Sequence, residues 1–192
     1  ALRTPDMAGV QLLGLQDFSG QGTALVGVVD AFWDEKPYVT PAQFREFCAP
    51  VVPLLRAEGF VLVEGSSFSA TAQLAQFDVG ALPARRLTWR LEGTDGAAVR
   101  EGAIAFGELV TGALHDLGTI ELDVVGLKSP ARYELILEVE GTQYRNRWGL
   151  WTMPAAKPAG ALPIVKALDA ETLARLEVGE TLVLMPAPNA LK

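Results

Sequence analysis

The sequence predicts a mainly β protein: an antiparallel, immunoglobulin-like β-sandwich flanked by an N-terminal strand and helix segment and a C-terminal βαβ unit. Three observations lead there. Residues 58–155 carry about seven short runs of alternating apolar and polar residues, separated by Gly, Asp or Pro turns. Residues 1–57 lack that period, and residues 156–192 pair two short apolar runs with one helical pattern.

In the first segment, "GVQLLGLQDF" is a short apolar run bounded by glycine and reads as a buried strand. "TALVGVVDAFWDE" reads as a helix that Gly27 and its valines weaken. "TPAQFREFC" has a strong helix start, with Thr40 as the cap and Pro41 at the first helical position. "APVVPLLR" carries Pro50 and Pro53 and reads as an extended linker.

The alternation in the second segment is clearest in two runs. Leu87, Trp89 and Leu91 share one strand face against Thr88 and Arg90. Tyr133, Leu135, Leu137 and Val139 repeat the pattern against Glu134, Glu138 and Glu140. "EGTDG" and "EGTQ" supply hairpin turns. After the Pro/Ala/Gly stretch "PAAKPAGALP", "IVKAL" and "ETLVLMP" read as strands around the helix "DAETLARLEVG", capped by Asp169 and stopped by Gly179. A lone βαβ unit leaves both sheet faces bare, so it reads as part of a larger α/β domain.

A chain of 192 residues, 49% hydrophobic and 20% charged, suffices for one well-buried domain or two small ones. A net charge of −7 without any Lys/Arg run argues against nucleic acid as a partner. The apolar runs "GTALVGVV" and "APVVPLL" are much shorter than the roughly 20 residues of a membrane span. "ALRTPDMAG" shows no signal peptide, which leaves the compartment open, and both ends read as abrupt, as if cut from a longer polypeptide. The one cysteine, Cys48, makes no internal disulfide and is expected beside Phe44 as a core thiol. One Cys and one His do not make a zinc site, and no motif calls for a cofactor.

The glycines of "DFSGQGTALVGVVD" raise the question of a phosphate loop. The spacing Gly20-x-Gly22 is followed by Leu25 where a dinucleotide fingerprint needs glycine, and no Gly-Lys-Ser/Thr is present. A glycine-rich turn at a strand exit is the better reading. His115 and Asp116 in "TGALHDLG" read as a surface turn; an esterase would need them oriented toward a serine, and no serine lies in Gly-x-Ser-x-Gly. Paired carboxylates could cleave glycosides, but spacing brings no two of Asp17, Asp30, Asp34 and Glu35 together. Asp34, Glu35 and Lys36 read as a solvated helix end. Strand spacing groups Trp148 with Tyr144, Asn146 and Leu150, and Trp151 with Arg145 and Arg147. One tryptophan is then core and the other rim, and either could stack on a sugar in a carbohydrate-binding module.

The block "RTPDMAGVQLLGLQDFSGQGTALVGVVDAFWDEKPYVTPAQFREFCAPVVPLLR" resembles the last strand and helix of the catalytic barrel in bacterial family 2 glycoside hydrolases, the β-galactosidase-like group. "EGTQYRNRWGLWTMPA" resembles the end of the β-sandwich that follows the barrel, and "DAETLARLEVGETLVLMPAPNALK" the opening of a later α/β domain. The resemblance implies a barrel remnant and linker at 1–57, a β-sandwich at 58–155, and a linker with a partial α/β unit at 156–192. It implies that the catalytic glutamates stand on earlier barrel strands, so no catalytic residue is assigned in this chain. Gln16, Asp17 and Phe18 match the last strand end and are the implied substrate-binding residues, in keeping with sites at the C-terminal ends of barrel strands. The expected function is a non-catalytic, accessory portion of a carbohydrate-active enzyme, with carbohydrate as the parent's ligand. A homodimer through the N-terminal apolar segment is the expected assembly. The alternatives are a small esterase using His115 and Asp116, or a carbohydrate-binding module.

Overall fold

The computed structural model describes residues 2–4, 7, 9–20, 25–155 and 162–187, which fall into two units, Ala1–Pro154 and Ala155–Lys192. In the first, a short helix α1 (Pro41–Phe47) precedes eight strands: β1 (Val51–Ala57), β2 (Val61–Val63), β3 (Ser67–Gln76), β4 (Arg85–Glu92), β5 (Ala98–Phe106), β6 (Ala113–Asp123), β7 (Ala131–Val139) and β8 (Arg145–Met153). The seven strands expected between residues 58 and 155 are all present.

They form two sheets, ordered β1-β3-β6 and β2-β8-β7-β4-β5. Every pairing is antiparallel except β2 with β8. A first strand divided between both sheets, with consecutive strands crossing between them, gives the immunoglobulin-like sandwich that the alternation predicts. Inward side chains such as Leu74, Ile120, Leu87, Leu91, Leu135 and Leu150 make one buried cluster between the sheets. Tyr133, near the start of β7, donates its hydroxyl back to the Lys128 carbonyl at 3.2 Å, pinning the β6–β7 corner as tyrosine corners do in such sandwiches. The "EGTDG" turn closes on Gly96 at φ 77° and a Gly93 N–H to Ala97 O bond of 3.0 Å.

The N-terminal segment departs from expectation in four places. "APVVPLLR" is not a linker: it forms β1, which tolerates Pro53 because β1 is an edge strand whose missing N–H breaks no inner ladder. Asn146 of β8 donates to the Pro53 carbonyl at 2.9 Å and ties the strand to the other sheet. "GVQLLGLQDF" is no buried strand. Among the described residues it joins no strand, Gln16 bridging to Val29, and Leu13 remains 92% exposed because no sheet receives it. The described part of "TALVGVVDAFWDE", residues 25–35, is turns and bridges rather than helix, since Asp30 accepts from the Phe32 and Asp34 N–H groups at 2.8 and 2.9 Å and folds the chain back. Cys48 is exposed: it follows the last residue of α1 as its C-terminal cap, and Phe44 packs on Phe47 instead, with ring centroids 4.9 Å apart.

Helix α1 itself begins as predicted. Thr40 accepts from the Gln43 N–H at 3.3 Å while the Gln43 side chain accepts from the Thr40 N–H at 2.9 Å, a full capping box ahead of Pro41. The second unit holds β9 (Ile164–Val165), α2 (Ala170–Glu177) and β10 (Val183–Leu184), with β9 and β10 parallel, so the βαβ order is as read. Asp169 caps α2 by accepting from the Thr172 N–H at 2.9 Å, and that bond holds its carboxyl below the ordinary range.

Candidate functional site

The residues matched to a barrel strand end sit in a small polar knot. Residues 15–17 run alongside 27–29, with Asp17 N–H bonded to Val29 O at 3.1 Å and Val29 N–H to Leu15 O at 3.0 Å. Gly27 is required at the crossing, because any Cβ there would fall inside the Gln16–Asp17 peptide. Asp17 is turned inward and buried; its Oδ1 accepts from the Gly27 N–H at 2.8 Å and from Lys36 Nζ at 2.6 Å. The Lys36 ammonium is the main cause holding the Asp17 carboxyl below its ordinary range, and the Gly27 N–H adds to it against an opposing effect of burial. Lys36 also donates to the Leu25 carbonyl at 3.3 Å, and Tyr38 donates its hydroxyl to the Gly27 carbonyl at 2.6 Å.

Lys36, read from sequence as part of a solvated helix end, is therefore the half-buried partner of the buried Asp17. Gln16 is half-buried and Phe18 exposed, its ring lying over Gly20. Of the glycine pair that prompted the phosphate question, Gly22 lies outside the described residues.

His115 lies inside β6 rather than in a turn, with Nε2 at 2.9 Å from the Val110 carbonyl. Asp116 follows it on the strand, so the two side chains leave opposite sheet faces. Asp116 accepts from Gln73 Nε2 at 2.5 Å, and among the described residues no serine hydroxyl bonds to His115. Among the described residues no group of three or more His, Cys, Asp and Glu side chains converges as a metal site, and no helix is long and apolar enough to cross a membrane.

The two β8 tryptophans divide between core and rim. Trp148 packs against the core cluster, whereas Trp151 faces outward and stays 40% exposed. The outer face of the five-stranded sheet is laced with ion pairs: Arg90 to Glu92 and Glu138, Arg132 and Arg147 to Glu134, and Arg145 and Arg147 to Glu46 of α1. Glu46 itself is buried, with Arg147 Nη2 at 2.6 Å. The alternation places these charges on one face, but the pairing of Glu46 with strand residues about 100 positions later had no local signal.

Residues 66–154 match a family described as Domain of unknown function (DUF8488), which covers β3 to β8. No curated protein matches the chain. Similar solved structures include the Pseudomonas fluorescens alkylpurine DNA glycosylase AlkC bound to DNA containing an abasic site analog, at 17% identity over 55% of this chain and 31% of that one, with a TM-score of 0.42. They also include a β-glucuronidase from glycoside hydrolase family 2, at 12% identity over 50% of this chain and 10% of that one, TM-score 0.36. A third is a putative β-galactosidase from Bacteroides fragilis, at 15% identity over 73% of this chain and 25% of that one, TM-score 0.37. The chain spans less than a third of each of these three. The resemblance to glycoside hydrolases is thus present but weak, and at these scores none of the likenesses assigns an activity.

Proposed function

We propose that the chain is a non-catalytic, accessory portion of a carbohydrate-active glycoside hydrolase, a β-sandwich preceded by a remnant of the last β/α unit of a catalytic barrel. The observation that carries the reading is the contrast within residues 10–38. A part-buried Asp17–Lys36 pair fixes the backbone, yet the apolar side chains around it face solvent: Val10, Leu12, Leu13, Leu25, Val26, Phe32 and Trp33 are all at least half exposed. A patch of this kind is ordinarily covered by more protein. The sequence resemblance of the same residues to a last barrel strand supplies what would cover it.

In this reading Gln16 and Phe18 reach the sugar at the mouth of the parent's site, and Asp17 positions them from below. One strand cannot close a barrel or supply the acid and nucleophile pair of glycoside cleavage. The same apolar patch gives the free chain a route to self-association. The test is hydrolysis of aryl glycosides by the purified 192-residue chain. No turnover is expected; turnover that disappears in Asp17→Asn would overturn the reading.

A further inference from the structure

On the outer face of the five-stranded sheet, β8 presents Arg147, Gly149 and Trp151, and β7 presents Arg132, Glu134 and Ile136 opposite them. The facing pairs are Arg132 with Trp151, Glu134 with Gly149, and Ile136 with Arg147. Gly149 leaves a gap in this surface, and the Trp151 indole lies down across it. A Cβ on Gly149 would stand 2.8 Å from Cη2 of Trp151 and 3.3 Å from both Cζ2 and Cζ3. An edge-on ring would hold those two flanking carbons distinctly farther away, so the glycine lies under the ring face. The indole face over Gly149 is spent on the sheet, while the residue as a whole stays 40% exposed.

The rim of this platform is polar on the β7 side and apolar on the β2 side, where exposed Val61 stands beside Trp151 and exposed Val63 beside Met153. Glu134 accepts from Arg132 Nη2 at 2.9 Å through one oxygen, and Arg147 Nη1 stands 3.5 Å from the other. Arg147 and Arg145 share Glu46, and Arg90 lies between Glu92 and Glu138 further along the face, so four guanidiniums face four carboxylates. We propose that Trp151 is a stacking platform for one ring of a neutral oligo- or polysaccharide, with Glu134, Arg132 and Arg147 bonding its hydroxyls. The apolar C–H face of a pyranose matches a flat aromatic face, and the adjacent forked donors and carboxylate oxygens suit neighbouring hydroxyls. A polyanion would call for net positive charge, which the paired rim lacks. An apolar protein partner would bury these charges at a desolvation cost.

The inference concerns the sandwich alone and stands apart from the barrel reading, since it needs neither turnover nor the N-terminal patch. It is tested by affinity electrophoresis of the full 192-residue chain in native gels containing hydroxyethylcellulose, xylan, galactan or laminarin. At least one polysaccharide retards the chain. Trp151→Ala weakens that binding about tenfold or more, Trp151→Phe keeps part of it, and Glu134→Gln weakens it less than Trp151→Ala. Thermal unfolding of Trp151→Ala at the wild-type temperature shows that the fold is intact. Absence of retardation by all four, or retardation unchanged in Trp151→Ala, overturns the proposal. A dimer that Trp151→Ala converts to monomer, with no polysaccharide bound, overturns it too and assigns the face to a second copy of the chain.

Discussion

Replacing Glu46 by alanine tests how α1 is held to the sandwich. Its Oε1 accepts from Arg147 Nη2 at 2.6 Å and lies 3.2 Å from Arg145 Nε, while Oε2 accepts from Arg147 Nε at 2.9 Å. The Glu46 side chain is 7% exposed, against 31% for Arg147. Breaking a fully buried ion pair costs roughly 3–5 kcal/mol. Here Arg147 keeps water and its contact to Glu134, which lowers the expected loss to about 2 kcal/mol. For a chain of this size about 2–4 °C is lost per kcal/mol, so the unfolding midpoint falls by about 4–8 °C. Circular dichroism melting and urea titration read both numbers. Arg132→Ala, which removes an exposed partner, serves as the control at about 0–1 kcal/mol. A Glu46→Ala loss below about 0.5 kcal/mol would refute the claim that this pairing docks the helix.

Further outcomes follow from the same geometry. Tyr133→Phe removes the corner hydrogen bond to Lys128 and lowers stability by about 1 kcal/mol in urea unfolding. Leu135→Ala, at a fully buried position, costs about 2–5 kcal/mol by the same measurement. The Asp17 carboxyl is held below its ordinary pKa, so its contribution is complete above about pH 3.9 and is lost as pH falls through the lower folded value. Limited proteolysis by an acid-active protease, across that range, is expected to show residues 25–36 becoming cleavable in acid before the sandwich does. Gly27→Ala, whose Cβ would collide with the Gln16–Asp17 peptide, opens the same loop at neutral pH without lowering the sandwich midpoint.

The strands that alternate were legible in sequence because one face of each is core and the other water. β4 and β7 show Leu87, Leu91, Leu135 and Leu137 inward against charged neighbours outward. β1 was not legible, because it is covered on both faces: Val51 and Leu55 enter the main core, while Val52 and Leu54 pack in a second cluster with Ala75. Such a strand reads as an unbroken apolar run, and its prolines then point to a linker. The Asp17 knot was hidden for another reason. Its bonds join residues 10 and 19 positions apart, which no local period reports. Cys48 lies one residue past the end of α1, where helical spacing no longer fixes a side chain. The outward direction of Trp151 followed from its spacing to Arg145 and Arg147, but its flat seat on Gly149 did not.

The central claim is that this sandwich serves a catalytic barrel whose acid and nucleophile lie outside the chain. Sequencing the reading frame upstream of Ala1 tests it most directly. The account predicts seven further β/α units, with two glutamates at the ends of earlier strands. A frame that starts at this chain, or one that encodes no barrel, would contradict it.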